Sequence, residues 1–298
     1  MTPPGTIFVA TDFSAPSRHA AERAARLAHE THARLILAHV VDGGMLAAFR
    51  QWMDTGGEHE QRLMAEAGRQ LQALAADLGA ARQVHVSTRL MVGSVLDEVR
   101  RSAQSEAADL VVVGARGAGF MRRLVLGTTS ERLMRRATQP MLVVRHSPHE
   151  PYRRVLVATD FSAWSAQAVA AARRFAPNAH LVLLHAFEVP FEEKLAFAGV
   201  DSATIEHYRR GARAEATQQV HALAQEAGLA LGRWEPCVVE GNASQRIIEF
   251  EQELDCDLVV IGKHGTSATE DLLLGSTTKH VLAEGDTDVL IATAPSPH

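Results

Sequence analysis

Apolar residues along this chain fall into short unbroken runs, separated by longer stretches in which they return at helical intervals. Residues 7–10 form one such run, ending at Thr11-Asp12, and an Ala-rich stretch over 16–29 follows with the spacing of an amphipathic helix. Ser14 stands where a helix N-cap is expected. The alternation then predicts a strand over 35–40, a helix around 60–78, a strand over 84–91, a helix over 95–102, a strand over 110–113, a helix over 129–136 and a strand over 141–144. The order is therefore β-α-β-α-β-α-β-α-β. Runs such as Leu110-Val111-Val112-Val113, apolar at every position, suit strands buried on both faces, and this implies a parallel sheet covered by helices on both sides.

The whole pattern occurs twice. Val9-Ala10-Thr11-Asp12-Phe13-Ser14-Ala15 returns unchanged as Val157-Ala158-Thr159-Asp160-Phe161-Ser162-Ala163, a shift of 148 positions. The same shift carries Gly93 to Gly241, Gly114 to Gly262, Gly117 to Gly265 and Gly127 to Gly275, and the second copy has its own apolar strand at Leu258-Val259-Val260-Ile261. One register held over so long a distance is a duplicated domain, not a short-period solenoid. The stretch Arg145-His146-Ser147-Pro148-His149-Glu150-Pro151-Tyr152 is polar, holds two prolines and has neither periodicity. It places domains at 1–146 and 152–298, with 147–151 as linker.

Composition narrows the function classes. With 298 residues, 22% charged and 46% hydrophobic, the chain has the makeup of two globular domains. A net charge of −5 carries no basic excess for a nucleic-acid backbone, which argues against nucleic acid as the main partner. The two cysteines, Cys237 and Cys256, lie in no CxxC or His-flanked pattern. They fit a reducing compartment. Residues 1–5 run into the first strand without a basic start or apolar signal core, and no stretch has the length of a membrane span, so a cytoplasmic location without membrane partner is expected.

Open parallel sheets bind ligands beyond the carboxyl ends of their strands, where strand order reverses, which directs attention to the loops after the first and fourth strands. After the fourth strand the first copy reads Gly114-Ala115-Arg116-Gly117, nine residues, then Gly127-Thr128-Thr129-Ser130 at a helix start. The second reads Gly262-Lys263-His264-Gly265, nine residues, then Gly275-Ser276-Thr277-Thr278. Glycines let backbone approach a ligand, and a helix start lined with hydroxyl groups offers donors and a positive dipole end, a combination suited to a polyphosphate. No Gly-Lys-Ser/Thr follows, so this is not a Walker A loop, and neither spacing nor position fits the GxGxxG fingerprint. Asp12 and Asp160 stand at the first loop either as ligand contacts or as helix caps. His39 and His185 close equivalent strands, where packing or a backbone bond explains them, and are left out of the site. The other histidines show no metal-binding cluster.

The G-x2-G-x9-G-[S/T] motif and the VATDFS opening resemble the ATP-binding signature of the universal stress protein family, twice, over nearly the whole chain. The resemblance implies two tandem, doubly wound, five-stranded α/β domains of the Rossmann-like, adenine nucleotide alpha hydrolase-like type. It implies one adenine-nucleotide site per domain, binding ATP with Mg2+ or Mn2+ carried on the phosphates. Contacts to the adenosine end would come from Asp12 and Val40, and from Asp160 and Ala186. Ribose and phosphate contacts would come from Val113, Gly114, Gly117, Gly127, Thr128 and Thr129, and from Ile261, Gly262, Gly265, Gly275, Ser276 and Thr277. The family's domains associate through their last strands, which implies an internal pseudo-dimer through 141–144 and 289–292; a homodimer of the whole chain is left open, and the protein partner is unknown.

The reading that follows is a cytoplasmic, ATP-binding stress-response or regulatory protein without a catalytic residue. A slow ATPase or nucleotide-transferring enzyme, and a nucleotide-free interaction scaffold, remain as alternatives. The copies differ where phosphate charge would fall: Arg116 and Arg122-Arg123 in the first, Lys263-His264 and Glu270-Asp271 in the second. Tighter phosphate binding by the first is expected. Long apolar connections follow the second strands, with Leu46, Phe49, Trp52 and Met53 in one copy and Phe191, Leu195 and Phe197 in the other. Lids, contact surfaces or cover for their own cores are the readings open to them.

Overall fold

The structure, a computed structural model, describes residues 4–53, 57–115, 128–189, 200–265 and 274–293. The change from one compact unit to the next falls between Pro151 and Tyr152.

The first unit runs β1 (Thr6–Ala10), α1 (Ala15–Thr31), β2 (Arg34–Asp42), α2 (Gly43–Met53), α3 (Glu58–Arg82), β3 (Val86–Gly93), α4 (Val95–Ser105), β4 (Leu110–Gly114), α5 (Thr128–Arg136) and β5 (Met141–Val144). Its strands stand in the order β3-β2-β1-β4-β5 and pair in parallel. Strand order thus reverses between β1 and β4. The strands beside the reversal carry the core: β4 and β5 are buried at every position, and Leu110 and Val112 are fully enclosed, whereas the edge strand β3 is only partly covered. Each enclosed side chain contributes about 1.5–3 kcal/mol through burial.

Helix α1 shows how the local sequence sets an element. Ser14 accepts a hydrogen bond from the Ser17 N–H, Pro16 stands in the first turn, and His32 ends the helix in the left-handed conformation at φ 57°. Its buried face is mostly alanine, at Ala20, Ala21, Ala24, Ala25 and Ala28, and such small side chains let the helix lie close to the sheet.

The second unit repeats the plan: β6 (Arg154–Ala158), α6 (Ala163–Phe175), β7 (His180–Phe187), α7 (Ser202–Glu226), β8 (Trp234–Glu240), α8 (Ala243–Glu253), β9 (Leu258–Gly262), α9 (Ser276–Glu284) and β10 (Asp288–Ala292). Its strand order is β8-β7-β6-β9-β10. Both units are doubly wound parallel α/β domains, as the alternation predicts.

Three local differences from the sequence reading have physical causes. Strand β3 begins and ends two residues later than the predicted 84–91, because its parallel register with β2 carries on to Asp42 opposite Gly93. The connection after β2 contains α2, although two glycines open it at a cost of about 1 kcal/mol each in a helix interior; Asp42 Oδ1 accepts from the Met45 N–H at 2.8 Å and caps the turn. Leu46 of α2 is buried with Val41 and Ala67, so at this residue the connection covers its own core. The side chains of Phe49, Trp52 and Met53, and residues Phe191, Leu195 and Phe197, lie outside the described residues. Strand β10 starts at Asp288, the counterpart of Pro140, which lacks the N–H a strand position would use.

Candidate functional site

The corner between the first strand and first helix is built by hydroxyl groups in both units. Asp12 Oδ1 accepts from the Ser14 N–H and hydroxyl, and the buried Ser17 hydroxyl lies within 3.0 Å of Thr11 Oγ1. In the second unit Asp160 Oδ1 accepts from the Ser162 N–H, the Ser162 hydroxyl and the buried Ser165 hydroxyl, the last at 2.7 Å. One carboxylate oxygen of each aspartate therefore organises its own turn. Ser17 and Ser165, which the motif reading passed over, are the residues that hold these turns against the sheet.

Phe13 and Phe161 follow the aspartates at φ 63° and φ 61°. A bulky side chain in this region is strained, and such strain concentrates at functional sites. Each ring packs on a histidine, Phe13 on His39 with centroids 4.3 Å apart and Phe161 on His185 at 4.2 Å. His39 Nδ1 donates to the Thr11 carbonyl at 2.8 Å, and His185 Nδ1 to the Thr159 carbonyl at 2.9 Å. The two histidines are thus backbone-bonded and ring-packed, as the sequence reading expected, and they fix the strand ends that carry Val40 and Ala186.

The glycine motif divides its labour. A β-carbon on Gly114 would stand 2.9 Å from the Pro16 carbonyl, and one on Gly262 2.7 Å from Trp164 Cβ. The first glycine of each copy therefore lets the fourth-strand loop meet the start of the first helix. A β-carbon on Gly265 would stand 2.8 Å from Asp160 Oδ2. The second glycine thus brings bare backbone to the aspartate of the other loop, across the strand-order reversal.

A further residue was not singled out by motif. The third hydroxyl of the helix-start run, Ser130 in one unit and Thr278 in the other, is buried and donates to the carbonyl of Gly114 or Gly262 at 3.0 Å. In the second unit the Gly275 N–H also donates to the Lys263 carbonyl at 3.1 Å. The signal available in sequence was a hydroxyl at the same register in both copies.

Several named residues can be placed. Val40 and Ala186 are half-buried near the ends of β2 and β7, and Asp12 is exposed while Asp160 is half-buried. Val113 and Ile261 have buried side chains in β4 and β9, so a ligand there would meet main chain. Thr129 and Ser276 are exposed and Thr277 half-buried in the first turns of α5 and α9. Gly275, which has no side chain to bond, stands at the N-cap of α9, and the exposed Ser276 and half-buried Thr277 follow it in the first turn. Gly117, Gly127, Arg116, Arg122-Arg123, Glu270-Asp271 and the side chain of Thr128 lie outside the described residues. Lys263 and His264 are buried, and the His264 ring lies 4.9 Å from that of Trp164. Among the described residues no group of three or more His, Cys, Asp or Glu could hold a metal ion, and no helix is long and apolar enough to cross a membrane.

Comparison with known proteins agrees with this architecture. A universal stress protein of Mycolicibacterium smegmatis is 26% identical over 302 residues, covering 96% of each chain. One of Methanocaldococcus jannaschii is 29% identical over 147 residues, 48% of this chain and 84% of that protein. The crystal structure of a universal stress protein from Archaeoglobus fulgidus superposes with a TM-score of 0.69 at 17% identity, over 97% of this chain and 98% of that one. The model of the universal stress protein family matches residues 4–145 and again 151–293. The chain is therefore a member of the universal stress protein family, with two tandem copies of its domain.

Proposed function

We propose that each domain binds one ATP, with Mg2+ or Mn2+ carried on the phosphates, and that the chain is a cytoplasmic regulatory protein of the stress response whose nucleotide state alters its conformation or partners. The observation that carries this reading is the meeting of Asp160 and Gly265, because a missing β-carbon leaves backbone beside a carboxylate at the strand-order reversal. The residues fit an adenine nucleotide: Asp12 and Asp160 would meet the adenosine end with main chain at Val40 and Ala186. The backbone at Val113–Gly114 and Ile261–Gly262, with Gly117, Gly127, Gly265 and Gly275, would follow the ribose and phosphates. Thr128, Thr129, Ser276 and Thr277 would add hydroxyl donors to the N-terminal ends of α5 and α9.

Binding is favoured over catalysis by the state of the aspartates. Asp160 Oδ1 already accepts three hydrogen bonds within its turn, an arrangement that positions a carboxylate instead of preparing a general base.

The test is to denature the purified chain, quantify released adenine species, and titrate ATP into nucleotide-free protein beside a cyclic nucleotide. About two ATP per chain, with weaker cyclic nucleotide binding, supports the reading. No released nucleotide and no titration signal would replace it with an interaction scaffold, and steady ADP release would make it an ATPase.

A further inference from the structure

The strand order leaves β3 outermost in the first domain and β8 outermost in the second, and an outer strand offers unpaired main-chain groups to any extended chain. In β8 the Gly241 N–H donates to the Phe187 carbonyl and the Arg233 carbonyl accepts from Leu181, so odd-numbered residues face β7 and even-numbered ones face outward. That outward row is closed. Pro236 has no N–H, the Val238 carbonyl accepts from the Arg213 guanidinium at 2.8 Å, and the Glu240 carbonyl accepts from Arg246 Nε at 2.7 Å.

Strand β3 keeps the same pairing: Leu35, second in β2, stands opposite Val86 as Leu181, second in β7, stands opposite Trp234. Val86, Thr88, Leu90 and Val92 therefore face outward. Thr88 takes the place of Pro236, and Glu98, whose carboxylate cannot donate, takes the place of Arg246. Arg62 and Arg69 of α3 pair with Glu58 and Glu66 of their own helix. The Thr88 carbonyl receives one exposed contact, from Arg89 of its own strand at 3.3 Å, and the Leu90 and Val92 carbonyls have no side-chain donor among the described residues. The large apolar side chains exposed in this domain, Met45, Leu63 and Val92 among the described residues, all belong to β3 or to helices packed against it.

We infer that β3 docks against β3 of a second copy of this chain, antiparallel about a two-fold axis at Leu90. Outward residues then exchange hydrogen bonds as Leu90 with Leu90 and Thr88 with Val92. Charge selects both the register and the occupant. An axis at Arg89 would set two guanidinium groups face to face, whereas an axis at Leu90 sets Arg89 opposite Met91 and diagonal to Gly93 of the other copy. Glu98 covers that glycine, its Oε1 3.0 Å from where a β-carbon would stand, so Arg89 of each copy reaches Glu98 of the other. Glu106, the present partner of Arg89, keeps Arg34. The second domain offers no such pairing, because Arg246 holds the place of Glu98.

The test is sedimentation of the full chain over a concentration series, with residue-resolved amide hydrogen exchange. The chain is expected to dimerise, and the Thr88, Leu90 and Val92 amides to exchange more slowly as concentration rises. T88P, which copies Pro236 and removes an outward N–H from each copy, weakens the dimer at least about tenfold. E98R, which copies Arg246, weakens it by about as much. P236T, on the other edge, leaves it unchanged. A chain that stays monomeric leaves this edge to a foreign strand and overturns the proposal, as does slowed exchange confined to other strands, or a dimer undiminished by both T88P and E98R. E98R and the exchange pattern decide the question even where T88P does not fold.

Discussion

Thr278 Oγ1 donates to the carbonyl oxygen of Gly262 at 3.0 Å, across sixteen residues of chain. Ser130 makes the same bond to Gly114. Both hydroxyls are buried, so they act as clasps at the base of the glycine loop and are not available as phosphate donors.

Removing the clasp therefore weakens the fold before it touches any ligand. Thr278→Val is expected to cost about 1–3 kcal/mol, the range for withdrawing one partner of a buried hydrogen bond. Thr278→Ser retains the donor and most of that stability. Denaturant unfolding of the two variants separates them, and equal midpoints would remove the clasp from the account.

The two glycines of the motif respond differently. Gly114→Ala places a methyl group against the Pro16 backbone and is expected to destabilise the first domain by about 1–3 kcal/mol, as overpacking does. Gly265→Ala meets Asp160 Oδ2 and is expected to take ATP stoichiometry from about two per chain to about one. Calorimetric titration of the full chain checks the second, and a stoichiometry still near two would separate Gly265 from the ligand.

Unequal affinity between the domains follows from their loop charges. Arg116 and Arg122-Arg123 favour phosphate in the first domain, and Glu270-Asp271 oppose it in the second. Without a divalent ion, the chain carrying Gly265→Ala should bind ATP more tightly than the chain carrying Gly117→Ala. The reverse order would refute the charge argument.

Thiol chemistry gives a pH prediction. Burial pushes the Cys256 thiol up to about 12; at Cys237 burial, with Glu235 and Glu253 adding to it, pushes the thiol up to about 11. Both should resist a chromogenic disulfide reagent at pH 8 in the folded chain and react at once in guanidinium. Since the folded state favours the neutral thiols, the stability they contribute is complete below the ordinary thiol range of about 8.5 and is lost as pH rises from there toward 11–12. Cys256→Ala should flatten that alkaline decline, and an unchanged decline would assign it to other groups.

How much of this was legible in sequence depended on range. Leu110-Val111-Val112-Val113 announced a doubly covered parallel strand by composition alone, and the identical VATDFSA segments announced the duplication. Helix α2 was hidden because Gly43-Gly44 argues locally for a turn, while the local cap from Asp42 and the burial of Leu46 against Val41 and Ala67, the latter visible only in the folded chain, decide for a helix. The packing role of Gly114 and Gly262 was equally hidden, since it depends on Pro16 and Trp164, nearly a hundred residues away in sequence. Phe13 and Phe161 gave no sign of positive φ, because bulky residues seldom adopt it.

The clasp has a consequence for how such a chain can diverge. With residue 114 tied to 130, and 262 to 278, each intervening segment is anchored at its ends by bonds that its interior residues do not supply. Lengthening a closed segment costs only about 0.6 kcal/mol per doubling, so the interior can be rewritten, or even extended, while the sheet beneath is left as it was. Two copies that share seven consecutive residues at one corner can thus differ in charge at the other, and a single duplicated frame carries two loops whose sequences change independently.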